Sequence, residues 1–302
     1  MYDIVIVGAG TAGLSAAIYA LRAGKSALLL ESSAYGGQII NTPEVENYPG
    51  IKKTSGFQFA KDLYDQASSL GAELKYEKVI SVEKLDTQHV VHTEKGAYPC
   101  KAVILATGAK NRTLGLEHEK EWIGAGISYC ATCDGAFYRN RDVAVAGGGN
   151  TALEDALFLS NYCNKVTIIH RREGFRGEGK LLETLRNREN VEFVLNVNIT
   201  KLIGSDGLDA VEVTDKNTQE RKEIPVAGLF VAIGQVPENS SFSNIVNLDA
   251  SGYIVGKEDC HTNASGIFTA GDCRTKTVRQ LTTAAADGAV AALAACEYID
   301  AL

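Results

Sequence analysis

"YDIVIVGAGTAGLSAAIYALRAGKSALLLE", residues 2–31, reads as an apolar strand, a glycine turn, an amphipathic helix and a second apolar strand that ends in an acid. Gly8 permits a tight turn, Gly10 lets the backbone approach a pyrophosphate, and Gly13 allows the helix to pack on the sheet. The first amides of the helix would face the phosphates. Glu31 would then bind a ribose hydroxyl. The stretch therefore predicts a βαβ unit that binds a dinucleotide.

The same pattern returns at "DVAVAGGGNTALEDALFLSNYCNKVTIIHRR", residues 142–172. Alanine is tolerated at the third position of this fingerprint. The fingerprint positions are Gly147, Gly149 and Ala152, and Asn150 and Thr151 lie between the last two of them. The chain thus contains two predicted nucleotide sites.

The two copies differ at the residue that would bind the ribose. Glu31 and His170 each lie 23 residues after the first glycine of their copy, so the second copy has no acid there. Arg171, Arg172 and Arg176 follow instead, and the planar fork of arginine binds phosphate through charge-assisted hydrogen bonds. Basic clusters are often only solvated surface, but this register favours a 2'-phosphate site. The first copy suits FAD or NAD, and the second suits NADP.

The strands outside the two copies suggest how the chain is divided. "YPCKAVILATGA" (98–109) and "PVAGLFVAIGQVPEN" (225–239) each read as a strand followed by a glycine turn, and "SGIFTAGD" (265–272) adds a short strand. We predict an α/β fold with two nested Rossmann-like domains, the second inserted into the first. The predicted bounds are 1–114 and 240–302 for the first domain, and 115–239 for the second.

Composition excludes several classes of protein. The 302 residues carry a formal net charge of -7, which argues against a nucleic-acid binder. No apolar run is long enough for a membrane span, and the first strand begins too early for a signal peptide. Seven cysteines, with one close pair, fit a reducing compartment better than a secreted disulfide framework. We expect a cytoplasmic protein with no nucleic-acid or membrane partner.

The close pair is Cys130 and Cys133, just before the second copy. At this spacing, the first turn of a helix would bring both sulfurs to one side, where a disulfide could open and close. No second cysteine or histidine pair has zinc-like spacing, so we expect no metal site. Asp134 could move protons for thiol chemistry, or could simply be a carboxylate that interacts with backbone amides at the helix N-terminus.

Four further motifs follow one another along the chain: "CATCDG" (130–135), "GGGNTA" (147–152), "HRREGFR" (170–176) and "GIFTAGD" (266–272). In this respect the chain resembles the low-molecular-weight bacterial thioredoxin reductases over essentially its whole length. The resemblance implies an NADPH-dependent flavoenzyme that contains FAD and acts as a homodimer. Electrons would pass from NADPH through FAD to the Cys130–Cys133 disulfide and then to thioredoxin, with Asp134 supplying protons.

The resemblance also implies further FAD contacts. "YGGQIINTPEVENYPG" (35–50) would form a loop on the flavin side, and "VRQLTTAAADG" (278–288) would lie beside the isoalloxazine. The residues implied in these and neighbouring motifs are Gly37, Gln38, Asn47, Thr107, Gly108, Asp272, Arg279 and Gln280.

Three alternatives remain open at this stage. A ferredoxin-dependent thioredoxin reductase of the same fold would not need the retained "GGGNTA" and "HRREGFR". A flavin dithiol oxidase acting on small molecules would not need the arginine cluster. A non-catalytic nucleotide-binding or redox-sensing module would not need the cysteine pair.

Overall fold

The computed structural model describes residues 1–85, 87–177 and 179–302. The chain divides into two compact units: unit 1 comprises residues 1–110 and 236–302, and unit 2 comprises residues 111–235. The predicted insertion, 115–239, begins and ends four residues later than unit 2. Two short strands, Ala109–Asn111 and Gln235–Pro237, pair with each other at the two points where the chain passes from one unit to the other.

The strands in chain order are β1 (Tyr2–Val7), β2 (Ala27–Glu31), β3 (Glu73–Tyr76), β4 (Val79–Lys84), β5 (His89–Thr93), β6 (Ala97–Leu105), β7 (Ala109–Asn111), β8 (Ile127–Ser128), β9 (Asp142–Ala146), β10 (Lys165–His170), β11 (Val191–Leu195), β12 (Val197–Ile203), β13 (Ala210–Asp215), β14 (Arg221–Pro225), β15 (Gly228–Val231), β16 (Gln235–Pro237) and β17 (Ile267–Thr269). The helices are α1 (Thr11–Arg22), α2 (Gly56–Ser69), α3 (Ala131–Asp134), α4 (Asn150–Leu159), α5 (Gly179–Arg186) and α6 (Leu281–Asp300).

Unit 1 is built on a sheet with the order β3-β2-β1-β6-β5-β4, and β17 also pairs with β6. The neighbouring strands β3, β2, β1 and β6 are parallel to one another, and β17 is parallel to β6. Strands β5 and β4 extend the sheet with antiparallel pairing. Alternation in β1 sends Ile4 and Ile6 into the core that contains α1 and α6, and Val5 and Val7 into the core on the other face. Burial on both faces explains why residues 4–7 of β1 and 27–30 of β2 are all apolar.

Unit 2 contains an all-parallel sheet with the order β11-β10-β9-β15-β8 and a separate antiparallel sheet, β12-β13-β14. In β9, Val143 and Val145 pack with α4, whereas Ala144 and Ala146 face the core shared with the antiparallel sheet. Both units thus place a βαβ motif at the centre of a parallel sheet. The predicted α/β class with two Rossmann-like folds is confirmed.

Within the described ranges, no helix combines the length and the apolar character that crossing a bilayer requires.

His89 is an unfavourable residue in the core of unit 1. Its side chain is completely buried, and among the described residues neither ring nitrogen has a hydrogen-bond partner. Burial lowers the pKa of His89, and Lys84 lowers it further. The neutral ring is therefore the form that the folded chain accepts.

We expect His89→Leu to stabilise the protein. An unsatisfied buried polar group costs about 1–3 kcal/mol, so the melting temperature should rise by about 3 °C or more. The folded pKa lies below the unfolded value of about 6.5, so the native form loses stability as the pH falls below that value. The variant should lose this part of the pH dependence. Thermal denaturation at several pH values checks both effects, and a lower melting temperature would contradict them.

Candidate functional site

The glycine turn after β1 needs its first and third glycines for different reasons. Gly8 has φ +103°, and a Cβ there would lie 2.4 Å from the carbonyl oxygen of Ala106. A Cβ on Gly13 would lie 1.9 Å from the carbonyl oxygen of Gly8. The turn and helix α1 can therefore approach the sheet this closely only without side chains at these positions.

The first turn of α1 is left open toward a ligand. Gly10 is its N-cap residue, and no side chain caps the helix. Glu31, at the end of β2, lies beside this turn because its carboxylate accepts hydrogen bonds from the amides of Ala9 and Ser33, both at 2.9 Å. Uncapped amides attract a phosphate, and a fixed carboxylate suits a ribose hydroxyl. This geometry fits a dinucleotide.

The loop after β2 returns to the same turn. The amide of Gly36 donates to the carbonyl oxygen of Ala9 at 2.7 Å, and Gly37 follows with φ +68°. The side chain of Gln38 donates to the carbonyl oxygen of Ala109. The loop predicted to lie on the flavin side thus lies against the first glycine turn and the start of β7.

Two of the residues implied by the resemblance meet at the start of α6. Gln280 is the N-cap of α6, where it forms a capping box with Thr283. The amide of Asn47 donates to the side-chain oxygen of Gln280 at 3.3 Å. The structure therefore brings the 35–50 loop to the 278–288 segment.

Asp272 has an unmet hydrogen-bond requirement. It lies in a 3₁₀ turn after β17, and its Oδ1 is buried without a partner among the described residues. Burial raises the pKa of Asp272, although Lys276 and Arg279 oppose this shift. Arg279 donates to the carbonyl oxygen of Asp272 at 3.3 Å, and its guanidinium lies 4.1 Å from the centre of the Tyr253 ring. A hydroxyl of a bound cofactor would give this buried Oδ1 a hydrogen-bond donor.

A buried ion cluster, which the sequence did not reveal, holds this turn in place. The Asp287 carboxylate accepts from the amide of Gly271 at 2.9 Å, from two nitrogens of Arg274 at 2.8 Å and from Lys276 at 2.8 Å. Burial alone would raise the pKa of Asp287, but the Arg274 and Lys276 hydrogen bonds lower it overall. A single acid inside the Ala-rich "AAADGAVAA" was the available signal.

Asn239 is a second structural residue that sequence reasoning missed. It is fully buried, and its amide donates to the carbonyl oxygens of Gly252 and Cys273, both at 2.9 Å. Its oxygen accepts from the hydroxyl of Thr107 at 2.8 Å. Thr107 and the following Gly108, which has φ +68°, are thereby fixed at the end of β6. No local pattern marks Asn239.

The second glycine turn, in unit 2, repeats the first with one change. Gly147 has φ +152°, and a Cβ there would lie 2.4 Å from the carbonyl oxygen of Ala232. It would also lie 2.7 Å from Cβ of Ala152, which is fully buried, so this turn tolerates alanine at the third position only with glycine at the first. Gly149 is the N-cap of α4, with no side-chain cap, and Asn150 and Thr151 begin the helix.

Sheet register shows that His170 occupies the position of Glu31. Val7 pairs with Leu30, the residue before Glu31, and Ala146 pairs with Ile169, the residue before His170. The His170 ring is buried, lies against Gly148 and has a ring-centroid distance of 5.1 Å to Phe175. Burial lowers the pKa of His170, and the three neighbouring arginines lower it further.

The segment with the three predicted arginines follows β10 and contacts the second glycine turn through its backbone. The amide of Arg176 donates to the carbonyl oxygen of Gly148 at 2.9 Å, which folds the segment after β10 back onto the glycine loop. The side chains of Arg171, Arg172 and Arg176 are exposed. Exposed guanidinium groups in a segment that returns to an uncapped helix start are compatible with an anion ligand, and position 170 carries no carboxylate.

Cys130 and Cys133 form a disulfide, with 5.3 Å between their Cα atoms. Cys130 is the N-cap of α3 and Cys133 lies within it, both half-buried. Asp134 ends the helix, and its Oδ2 accepts from the hydroxyl of Ser128 at 2.6 Å. Burial raises the pKa of Asp134. Ser128 is a further residue that sequence reasoning missed.

The five other cysteines are free and buried. Burial raises the pKa of Cys100 and Cys260 to about 12 and that of Cys163 to about 11. A thiol that stays protonated is a poor nucleophile. Cys273 is fully buried, with its sulfur near the carbonyl oxygens of Leu105 and Ala270, which accords with a packing residue.

A carboxylate anchors the residue before the disulfide. Glu119 is 2% exposed, and its oxygens accept from the amides of residues 114, 115 and 116. The hydroxyl of Tyr129 also donates to Glu119, at 2.7 Å. Four donors satisfy this buried charge, which fixes the backbone on the N-terminal side of Cys130.

Comparison with known proteins identifies relatives over the whole chain. Residues 2–288 match the pyridine nucleotide-disulphide oxidoreductase family. The chain is 42% identical to a thioredoxin reductase of Treponema pallidum, covering 100% of this chain and 98% of that protein. It is 40% identical to a thioredoxin reductase of Listeria innocua, covering 100% and 95%. The crystal structure of thioredoxin reductase from Streptococcus pyogenes superposes with a TM-score of 0.96 at 36% identity, covering 100% and 99%.

Proposed function

Because the chain belongs to the pyridine nucleotide-disulphide oxidoreductase family and, within it, to the thioredoxin reductases, we infer that it is an enzyme that reduces thioredoxin disulfide with electrons from NADPH. Its cofactor is FAD and its electron donor is NADPH. The observation that carries this function is the Cys130–Cys133 disulfide, which immediately precedes a βαβ unit suited to a phosphorylated dinucleotide.

We assign FAD to unit 1. The uncapped start of α1 receives the pyrophosphate, Glu31 receives a ribose, and the unpartnered Oδ1 of Asp272 accepts from a cofactor hydroxyl. When bound, FAD supplies a two-electron relay between nicotinamide and disulfide. Other residues assigned to this site are Gly8, Gly10, Gly13, Gly37, Gln38, Asn47, Thr107, Gly108, Arg279 and Gln280.

We assign NADPH to unit 2. Gly147, Gly149 and the first residues of α4, Asn150, Thr151 and Ala152, receive the pyrophosphate. The arginines after His170 bind the 2'-phosphate, and position 170 itself holds a buried histidine, whose pKa burial lowers, in place of an acid.

The thiol chemistry uses residues of unit 2. Two electrons break the Cys130–Cys133 bond, and the two sulfurs take up two protons when they are released as thiols. One of them, as thiolate, attacks the thioredoxin disulfide, and the other then resolves the mixed disulfide. Asp134, whose pKa is raised by burial, supplies a proton to the leaving thiolate. Overall, one NADPH and one proton convert one disulfide into two thiols.

The decisive experiment measures oxidation of NADPH and of NADH by the flavin-loaded protein, with and without thioredoxin. We expect rapid NADPH oxidation only when thioredoxin is present, and little with NADH. If NADPH added under anaerobic conditions leaves the flavin oxidised, the result would favour a ferredoxin-dependent enzyme. Thiol-dependent peroxide formation without nicotinamide would favour a dithiol oxidase.

We further propose that the enzyme is a cytoplasmic homodimer. Five free, buried thiols suit a reducing compartment. Tyr19, Val290 and Leu293 are exposed apolar side chains on α1 and α6, helices that pack together within unit 1. Such a surface fits a second copy of the chain. Light scattering after size-exclusion chromatography measures the oligomeric state.

Asp272→Asn should weaken FAD binding by about tenfold to a hundredfold, because a hydrogen bond to a charged group contributes about 1.5–3 kcal/mol. Fluorescence quenching of FAD titrated into apoprotein measures the dissociation constant without any activity assay. Asp62→Asn, an exposed acid on α2, is the matched control and should bind FAD normally. Equal affinity in Asp272→Asn and wild type would remove Asp272 from the site.

A further inference from the structure

Ser128 connects the two groups that the thiol chemistry needs to keep together. It is 2% exposed at the end of β8, two residues before the disulfide. Its hydroxyl donates to Oδ2 of Asp134 at 2.6 Å, and its oxygen accepts from the amide of Cys130 at 3.1 Å. The same hydroxyl lies 3.3 Å from the carbonyl oxygen of Cys130. One side chain therefore contacts the backbone of the first cysteine and the acid that follows the second.

A hydroxyl carries one hydrogen and two acceptor positions, so it can serve either protonation state of the acid. When Asp134 is ionised, the Ser128 hydrogen points to the carboxylate, and the 2.6 Å between the two oxygens suits such a charge-assisted bond. When Asp134 is protonated, its own hydrogen can be donated to Ser128 Oγ, and the serine hydrogen can turn to the carbonyl oxygen of Cys130. Neither state leaves a buried polar group unpaired.

We propose that Ser128 is a positioning residue for Asp134, holding the carboxyl group beside the Cys130 backbone before and after it gives up its proton. The inference rests on the proposed function, in which Asp134 supplies a proton to the leaving thiolate. Ser128 itself transfers no proton to thioredoxin. Its role is to keep the carboxyl in place and to favour the ionised form.

Other titratable groups lie on the elements that pack against α3, and each could contribute to a pH profile. Tyr138, on the 3₁₀ turn after α3, has a pKa raised by burial and by Asp134. On α4, Glu154 is exposed, and burial together with Glu154 raises the pKa of Asp155 to about 7. Burial also raises the pKa of Tyr162, after α4, to about 12. The two thiols titrate once the disulfide is reduced.

The test is the pH dependence of the thioredoxin half-reaction. Holoenzyme is reduced anaerobically with NADPH and mixed with thioredoxin disulfide across the pH range in which it stays folded. Removing the Ser128 hydroxyl removes a bond that favours ionised Asp134, so Ser128→Ala should move the basic limb upward by about one pH unit. Flavin reduction by NADPH should keep its wild-type rate.

Three variants make the result specific. Tyr129→Phe removes a partly buried hydrogen bond from the adjacent residue without touching Asp134, and it should leave the limb in place. Asp134→Asn should abolish the limb, and Asp155→Asn should leave it unchanged. A limb that moves only in Ser128→Ala and vanishes only in Asp134→Asn supports the proposal.

The contrary outcomes are distinguishable. If Asp134→Asn abolishes the limb but Ser128→Ala does not move it, the Ser128 proposal fails and the proposed function stands. If Tyr129→Phe shifts the limb as much as Ser128→Ala, the effect is general local disruption and the proposal also fails. If Asp155→Asn abolishes the limb and Asp134→Asn does not, Asp155 is the proton donor and the Ser128 proposal fails. If reduced wild-type holoenzyme does not react with thioredoxin at any pH, the proposed function itself fails.

Discussion

Cys130→Ser and Cys133→Ser should each lower the rate of thioredoxin reduction by at least about a thousandfold, because removing a nucleophile that acts as part of a unit removes nearly all of its catalysis. Serine cannot form the disulfide that accepts the two electrons. NADPH should still bleach the flavin in both variants, since that step uses no thiol. Stopped-flow spectroscopy of the flavin, followed by a steady-state thioredoxin assay, separates the two steps.

The matched control is Cys163→Ala in the same unit. Cys163 is buried, and its pKa is raised to about 11, so its thiol should take no part in exchange. Its removal should leave the thioredoxin rate within about twofold of wild type, as expected for a residue outside the reacting unit. A Cys130→Ser enzyme with near-normal thioredoxin turnover would disprove the proposed electron path.

The second large effect concerns the choice of nicotinamide cofactor. The double variant Arg171→Ala, Arg172→Ala should lower kcat/KM for NADPH by about a hundredfold or more, at about 1.5–3 kcal/mol for each lost charged hydrogen bond. The value for NADH should change little, because NADH has no 2'-phosphate to bind. Steady-state kinetics with both nucleotides at constant ionic strength measure this difference.

Arg186→Ala provides the control for nonspecific loss of positive charge. Arg186 is also exposed in unit 2, but it lies in the last turn of α5 rather than beside the second glycine loop. It should retain the preference for NADPH. If the double variant and the control discriminate between NADPH and NADH equally well, the arginine cluster is not the 2'-phosphate site.

The βαβ units were predictable because their requirements are local. The positive φ angles at Gly8 and Gly147 require glycine, and burial on both sheet faces requires apolar runs such as residues 4–7, so both leave a direct trace in the local sequence. The replacement of Glu31 by His170 was visible by counting from each first glycine, and sheet register places the two residues at the same position. The cysteine pair was visible from its spacing alone.

The contacts that support these motifs were not predictable, because their partners are far apart in sequence. Thr107 and Asn239 are separated by 132 residues. The Asp287 carboxylate in α6 accepts hydrogen bonds from Gly271, Arg274 and Lys276, which lie before the helix. The bond between Ser128 and Asp134 spans only six residues, yet it depends on how β8 and α3 meet. A serine in a short strand has no pattern that identifies such a contact.

The amino-acid order alone therefore determined the two nucleotide-binding motifs, the reactive cysteines and the α/β class, since backbone sterics and side-chain periodicity act over a few residues. Only the tertiary structure decided where unit 2 begins, which acids are buried and which polar groups hold the site residues. Those properties depend on burial and on hydrogen bonds that exist only when distant segments pack together.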